Sequence, residues 1–132
     1  ETNEEMFVFI EESLIALDKE EKLNPDFHLV FLVNFTRHLG FMPHDNYSPA
    51  TNRFEMLEGN FVQSDALTST LLDETESLLL HRLMQSPLFL PLSPKIHSAE
   101  RRQALNNLIR YYQLHIENFN LRSPEVLEEV LG

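Results

Sequence analysis

A histidine followed directly by an aspartate, His44-Asp45, is the pair of residues in this sequence that most suggests catalysis. Helical phosphohydrolases hold a metal ion with such a pair and with further histidine and aspartate ligands. Their pairs lie on helices, whereas the segment FMPHDNYSPATNR, 41 to 53, has two prolines and two asparagines and predicts a loop. With six histidines in the chain, one beside an aspartate is expected by chance. We therefore predict no catalytic residue and no metal site, and keep a metal-dependent phosphohydrolase as a minor alternative.

Two adjacent arginines give the clearest candidate for a binding site. Arg101 and Arg102 follow Ser98 in the first turn of a predicted helix, where positive charge opposes the helix dipole. Together with the N–H groups of the helix start they are suited to a carboxylate, while apolar neighbours take a hydrophobic residue. This pattern fits an acidic peptide with a hydrophobic end. The alternative is that both arginines pair with acidic residues of this chain.

A second polar group lies on an otherwise apolar segment. Arg37, Asn34 and His38 form a narrow strip there, because residues three and four apart lie side by side on a helix. They either form bonds within the domain or line a cleft. Tyr111 is expected to point away from the apolar stripe that includes Tyr112, and so to be exposed. The predicted partner-binding residues are Arg37, Arg101, Arg102, Arg110 and Tyr111.

The composition argues against nucleic acid as a direct ligand. Ten basic and 21 acidic side chains among 132 residues give a net charge of -11, which repels phosphate backbones. No cysteine is present, so disulfides and thiolate zinc sites are not expected, and neither zinc nor another cofactor is predicted. No apolar run is long enough to cross a bilayer, and we expect a soluble, cytoplasmic domain without a membrane partner. Because the chain begins at Glu1 without a leader, we expect a piece of a larger protein.

Apolar spacing and capping residues predict a helical bundle. A first helix covers roughly 3 to 21, and its acidic run from Glu11 to Glu21 is either a solvated face or a contact for a basic partner. A second helix runs from 25 to 39, with Asn24 as its cap and Gly40 as its left-handed stop. Its apolar residues surround the axis, so we expect it to be the central helix.

The second half of the chain predicts a small insertion and three more helices. FEMLEGNFV, 54 to 62, is expected to form a hairpin around the turn Glu58-Gly59. Ser64 is expected to cap a helix that runs to 85, with a possible break near Asp73. Three prolines make 86 to 94 an extended connector, pinned by Leu88, Phe89 and Leu90. Helices follow at 99 to 116, capped by Ser98, and after Ser123.

The order of these features resembles the C-terminal domain of RecO, the bacterial recombination mediator. Four stretches carry the resemblance: FHLVFLVNFTRHLGFMP (27 to 43), FEMLEGNFV (54 to 62), LNNLIRYYQLHI (105 to 116) and LRSPEVLEEV (121 to 130). In RecO-like chains a buried helix ends in Leu-Gly-aromatic followed by Pro, and the last helices carry Tyr-Tyr, His and a Ser-led helix. The matching residues are Leu39, Gly40, Phe41, Pro43, Tyr111, Tyr112, His115 and Ser123.

The resemblance implies a mainly α domain over 1–132: a bundle of about five helices with a loop and hairpin insertion at 41–63. Many family members place a four-cysteine zinc knuckle at this insertion, and this chain has no sulfur ligand there. The implied role is recombinational DNA repair: annealing strands and, with RecR, loading RecA onto DNA covered by single-stranded-DNA-binding protein. The family's N-terminal OB-fold, which would contact single-stranded DNA, is expected to lie outside this sequence. The expected partners are therefore a RecR-like protein and the C-terminal tail of the single-stranded-DNA-binding protein, and the domain is expected to be non-enzymatic. A purely structural helical bundle of another multidomain protein is the main alternative.

Overall fold

We analysed a computed structural model of the chain, and the structure describes residues 4–6, 8, 10–12, 26–86 and 92–116. The described residues between 4 and 12 are helical and form helix α1. Three further helices, α2 (Phe27–Leu39), α3 (Glu74–Gln85) and α4 (Ser98–His115), surround one core. In the sequence, strands β1 (Arg53–Glu55) and β2 (Asn60–Val62) come between α2 and α3. A mainly helical fold with one small hairpin is confirmed. The predicted fifth helix, after Ser123, lies outside the described residues.

Helix α2 is the central helix because its apolar residues occupy more than one face. Seven of its 13 residues are buried, and it packs against both α3 and α4. Its last carbonyls are satisfied by a left-handed turn at Gly40 (φ 90°), whose N–H donates to the carbonyl oxygen of Thr36 at 3.0 Å. The predicted caps Asn24 and Pro25 lie outside the described residues, and Asp26 precedes the first turn.

The predicted hairpin is confirmed, and β1 forms backbone hydrogen bonds along both of its edges. Strands β1 and β2 pair antiparallel with Phe54 opposite Phe61, whose ring centroids are 5.0 Å apart. On its other side β1 binds residues 70–72. The N–H of Met56 donates to Thr70 and the N–H of Leu72 donates to Phe54, each at 2.9 Å.

This second pairing explains why the helix predicted from Ser64 is wrong. The backbone groups of residues 70–72 are used by β1, and α3 begins only at Glu74. The break considered near Asp73 is the true start of the helix. The Asp73 carboxylate accepts the N–H of Glu76 at 2.7 Å, and the Glu76 carboxylate accepts the N–H of Asp73 at 3.1 Å.

Helix α4 lies between α2 and the hairpin, so two of its faces are buried. The Tyr112 hydroxyl donates to the carbonyl oxygen of Leu32 in α2 at 2.6 Å. On the adjacent face the Tyr111 hydroxyl donates to the carbonyl oxygen of Phe41. The Tyr111 ring lies 5.6 Å from the Phe54 ring of β1. Tyr111 is only 3% exposed, so the prediction that it faces solvent is wrong. The insertion covers this residue through Phe41 and Phe54.

The connector between α3 and α4 returns the chain to the start of α2. Leu92 is buried, and its N–H donates to the carboxylate of Asp26 at 3.0 Å. The residues predicted to pin this connector, Leu88, Phe89 and Leu90, lie outside the described residues. His97 rather than Ser98 precedes the first turn of α4. Across the described ranges, no helix has the length and apolar character needed to span a membrane.

Candidate partner-binding surface

The side chain of Arg101 turns towards the core and is not available on the surface in the way that the sequence of this helix start predicted. Its Nε lies 3.2 Å from Oδ1 of Asp26, a carboxylate that is almost fully buried. The same carboxylate accepts the N–H of Leu92. The Asp26 carboxylate supplies the negative charge that offsets Arg101 in the first turn of α4. By binding both Arg101 and Leu92, Asp26 joins the starts of α2 and α4 to the connector. The alternative of pairing within the chain therefore applies to Arg101.

The N-terminus of α4 is occupied by one of its own carboxylates. Glu100 accepts the N–H of His97 at 3.0 Å. A second carboxylate approaching the same helix end would meet this negative charge. The expected arrangement, in which Arg101, Arg102 and the helix start bind one acidic group together, is therefore not the arrangement of the structure.

Arg102 and Arg110 lie instead on a common exposed face. We define the outer face of α4 by five exposed residues at helical spacing: Arg102, Gln103, Asn106, Arg110 and Gln113. Residues three, four and eight positions apart lie on one side of a helix. The only acidic residue of α4 is Glu100, which lies at the helix start. In a chain with a net charge of -11, this face carries two arginines and no acid.

A concave region adjoins the Arg102 end of the outer face. Its volume is about 300 Å³, and it is lined by Ser98, Ala99, Arg102, Gln103 and Asn106. At the other end of the outer face, the guanidinium of Arg110 donates to the carbonyl oxygen of Ser69 at 3.1 Å. Arg110 is thus held by the loop before α3, while Arg102 lies at the concave region. The two arginines lie eight residues apart on this face.

A second groove adjoins this concave region at the first turns of α4 and shares Ala99 and Gln103 with it. It has a volume of about 240 Å³ and lies between α3 and α4. The acids Asp73, Glu76 and Glu100 line it together with Leu79, Ala99 and Ala104. These carboxylates repel an acidic ligand, so this groove is not suited to the peptide expected from the sequence.

Arg37 lies apart from the other predicted residues, at the exposed end of α2. Its Nε donates to the sulfur of Met42 at 3.5 Å. Asn34, which belongs to the same polar strip, donates to the carbonyl oxygen of Val30 at 2.8 Å, as the internal reading of that strip expects. The start of α2 contacts the start of α4 through Asp26 and Arg101, so Arg37 and Arg102 lie at opposite ends of the helix pair.

His44 and Asp45 do not converge on a metal site. The backbone N–H of His44 donates to Gly59 at 2.8 Å, and its side chain is exposed. Asp45 accepts a hydrogen bond from Gln85 at 2.7 Å and lies 3.4 Å from His81. Among the residues that the structure describes, no group of three or more histidines and acids could hold a metal ion.

Hydrogen bonds hold the loop of the insertion, at the position where many RecO-like chains carry a zinc knuckle. The Asn46 side chain donates to the carbonyl oxygen of Phe61 at 2.9 Å and accepts the N–H of Phe61 at 2.8 Å. The hydroxyl groups of Ser48 and Thr51 lie 2.7 Å apart across a tight turn. The Asn46 contacts attach the loop to β2, and the Ser48–Thr51 contact closes a turn within the loop.

Glu55 is the buried acid at the centre of the insertion, and it was not among the residues predicted from the sequence. Its side chain is 4% exposed. The hydroxyl groups of Thr68 and Thr70 and the N–H of Leu57 donate to its carboxylate. The available signal was an acid between two apolar residues of a predicted strand.

The environment of Glu55 keeps its carboxylate ionised. Burial by itself raises the pKa of Glu55. Four donors outweigh this effect and bring the pKa below 4.5; they are Thr68, Thr70 and the backbone N–H groups of Leu57 and Glu58. Burial also raises the pKa of the Tyr111 and Tyr112 hydroxyl groups, so both tyrosines act as protonated donors.

Comparison with known proteins supplies the family. The model of the family "Recombination protein O C terminal" matches residues 1–125. Three proteins named DNA repair protein RecO are similar to the whole chain: 37% identical in Flavobacterium psychrophilum, 38% in Flavobacterium johnsoniae and 33% in Christiangramia forsetii. The alignment covers 100% of this chain and 54% of each relative, so the chain spans about half the length of the curated relatives it matches. No solved structure matches it.

The family assignment agrees with the features that the structure brings together. The left-handed stop at Gly40, the hairpin and the Tyr111-Tyr112 pair of α4 are the elements on which the sequence resemblance was based. The matched range, residues 1–125, includes all of them. This chain belongs to the family of recombination protein O C-terminal domains.

Proposed function

We propose that this chain is the partner-docking part of a protein that acts in recombinational DNA repair. The relatives bear the name DNA repair protein RecO, which supports the repair role. The net charge of -11 makes this part a poor surface for nucleic acid. Contact with single-stranded DNA would then belong to an N-terminal OB-fold, and this chain would recognise other proteins.

The outer face of α4 is the proposed docking surface for the acidic C-terminal tail of a single-stranded-DNA-binding protein. The observation that carries this proposal is that the five α4 residues defining this face include two exposed arginines and no acid, in a strongly acidic chain. Arginine is suited to carboxylates because its planar guanidinium donates two parallel hydrogen bonds. The concave region beside Arg102 is polar apart from Ala99, so it would receive a polar part of the peptide and not its hydrophobic end.

The spacing of the arginines defines the peptide that would fit. Arg102 and Arg110 are eight residues apart, which corresponds to about 12 Å along a helix. An extended peptide advances about 3.3 Å per residue and alternates its side chains. Acids four positions apart would therefore project to the same side, about 13 Å apart, and reach both arginines. Long-range attraction between opposite charges would also speed association.

The rest of the expected function forms part of the same proposal. A RecR-like protein would be a second partner, and strand annealing and RecA loading would be activities of the complete assembly. This chain would form one helical domain, with the Ser123 segment as its fifth helix and 41–63 as its insertion. It would use no cofactor and catalyse no reaction.

A tail-peptide titration tests the docking proposal. The full-length protein is titrated with the last residues of the single-stranded-DNA-binding protein from the same organism, using fluorescence anisotropy. Arg102→Glu should weaken binding about tenfold, which corresponds to about 1.4 kcal/mol, since it replaces an attraction by a repulsion. Arg37→Glu changes the net charge equally at the opposite end of the helix pair and should leave the affinity within twofold.

Two further observations separate the alternatives. Raising the salt concentration should weaken binding by wild type much more than binding by Arg102→Glu, because exposed ion pairs are screened. Equal affinity for wild type and Arg102→Glu would contradict docking at this face. A protein that binds no tail peptide under any condition would favour the purely structural bundle.

A further inference from the structure

Two concave regions of opposite charge adjoin each other at the first turns of α4. The groove between α3 and α4 is lined by three acids and by no basic residue; the acids are Asp73, Glu76 and Glu100. The region beside it has Arg102 and no acid among its lining residues. Both regions are lined by Ala99 and Gln103, so the charge changes sign at these two residues. We call the two regions together the α4-start surface.

The three carboxylates of the groove are held in place by neutral donors. Backbone N–H groups at the starts of α3 and α4 donate to all three, and the Asn107 side chain donates to Glu76 at 2.8 Å. Within the described ranges, none of the three forms an ion pair with a lysine, arginine or histidine. Arg101, which follows Glu100, pairs with Asp26 instead. An ionised carboxylate has about four lone-pair sites, so the groove can still accept hydrogen bonds from a cation of another molecule.

A surface whose adjoining halves have opposite charge is complementary to itself. In a two-fold dimer the same surface of both copies forms the interface, and each contact between two residues occurs twice. With the two-fold axis at Ala99 and Gln103, Arg102 of each copy would face the carboxylates of the other. Both axis residues are exposed and uncharged, so no like charges meet at the axis itself.

We propose that a second copy of this chain docks on the α4-start surface and forms a two-fold dimer, in which Arg102 of each copy enters the acidic groove of the other. A second copy matches both halves of this surface, whereas an acidic peptide matches only the half with Arg102. The carboxylates of the groove disfavour nucleic acid. The net charge of -11 on each copy opposes association, so the dimer is expected to be weak and reversible.

This dimer would compete with the acidic peptide of the proposed function, because both cover Arg102. The inference does not rest on that function. A protein that dimerises through the α4-start surface but binds no tail peptide would leave the inference intact, and a protein that binds the peptide as a monomer would contradict the inference alone.

Sedimentation velocity of the full-length protein tests the dimer. Wild type is expected to dimerise with a Kd of about 100 µM or tighter. Arg102→Glu should weaken dimerisation about tenfold or more, because it places a negative charge against the carboxylates of the other copy. Arg37→Glu, which makes the same change in net charge at the opposite end of the helix pair, should leave the Kd within about twofold of wild type.

A groove variant separates local charge matching from general repulsion between the copies. It combines Asp73→Asn, Thr75→Lys and Glu100→Gln, and Thr75 is an exposed residue that lines the groove. Asparagine and glutamine can take over the two capping positions, so both helix starts keep their partners. Each substitution raises the charge by one, so the net charge changes from -11 to -8 and general repulsion falls. The proposal nevertheless expects dimerisation to weaken about tenfold, because the groove loses its negative charge.

Mixing the two variants completes the test. In a heterodimer of Arg102→Glu with the groove variant, the new glutamate faces the new lysine, and the remaining arginine faces an unchanged acidic groove. The heterodimer should be about fivefold tighter than either homodimer. Circular dichroism checks that each variant is folded, and Thr75→Lys alone, which leaves both caps unchanged, replaces the groove variant if it is not. The proposal is overturned by a wild type that remains monomeric, by a groove variant that dimerises as well as wild type, or by a mixture without preference for the heterodimer.

Discussion

Replacing Glu55 with glutamine removes the negative charge from the centre of the insertion and nearly preserves the volume of the side chain. In the wild type, three hydrogen bonds from Leu57, Thr68 and Thr70 end on this carboxylate. In the variant, the amide oxygen can still accept from the N–H of Leu57. The amide NH₂ group must then donate to a threonine hydroxyl, which reverses that hydrogen bond.

The expected loss of stability follows from these three bonds. A hydrogen bond to a charged group contributes about 1.5–3 kcal/mol, and a neutral one about 0.5–1.5 kcal/mol. Converting three charged bonds to neutral ones therefore costs about 3 kcal/mol. With a urea dependence of about 2 kcal/mol per molar, the unfolding midpoint should fall by about 1.5 M.

Urea unfolding of the 132-residue chain, followed by circular dichroism, measures this loss. The control is Glu58→Gln, the same chemical change at an exposed position of the same hairpin, which should cost less than about 0.5 kcal/mol. The pH dependence gives a second test. Because the folded pKa of Glu55 lies below 4.5, its contribution is complete above the unfolded pKa and is lost as pH falls through the folded pKa. The difference between wild type and Glu55→Gln should therefore shrink below pH 4.5. Equal midpoints for Glu55→Gln and Glu58→Gln at neutral pH would refute this reasoning.

Four further substitutions test the contacts that hold the helices together. Tyr112→Phe removes the donor to the carbonyl oxygen of Leu32 and should cost about 1 kcal/mol in urea unfolding. Gly40→Ala should cost about 1 kcal/mol from its left-handed φ of 90° alone, because an added Cβ meets no atom within 4 Å. Asp26→Asn leaves Arg101 without its buried charged partner and should lower the free energy of unfolding by about 2 kcal/mol, more than Arg101→Lys, which keeps the positive charge.

Local signals in the sequence were sufficient for elements that neighbouring residues determine. The apolar run before Gly40 predicts a buried helix with a left-handed stop, and α2 ends there. The Glu58-Gly59 turn predicts the hairpin, and Gly59 has a positive φ of 74°. In both cases the decisive glycine lies within a few residues of the pattern it ends or turns.

Features that depend on distant segments could not be predicted from local patterns. The sequence around Ser64 permits a helix, but β1 binds residues 70–72 and prevents it. Tyr111 lies outside the apolar stripe of α4, yet the insertion covers it through Phe41 and Phe54.

The candidate site also depends on segments that are distant in the sequence. The helix dipole indicated that Arg101 needs a negative partner, and that partner, Asp26, lies 75 residues away. Arg102 and Arg110 were selected from the sequence, and their common exposed face became apparent only from the helix that carries them.

The central claim, that the outer face of α4 docks an acidic peptide, is tested most directly by nuclear magnetic resonance. The ¹⁵N-labelled chain is titrated with the tail peptide of the single-stranded-DNA-binding protein, and the backbone amide shifts are followed. The largest shift changes are expected at Arg102, Asn106 and Arg110, which do not line the acidic groove, with small changes at Arg37. Shift changes centred on the end of α2, or on the acidic groove between α3 and α4, would contradict the claim.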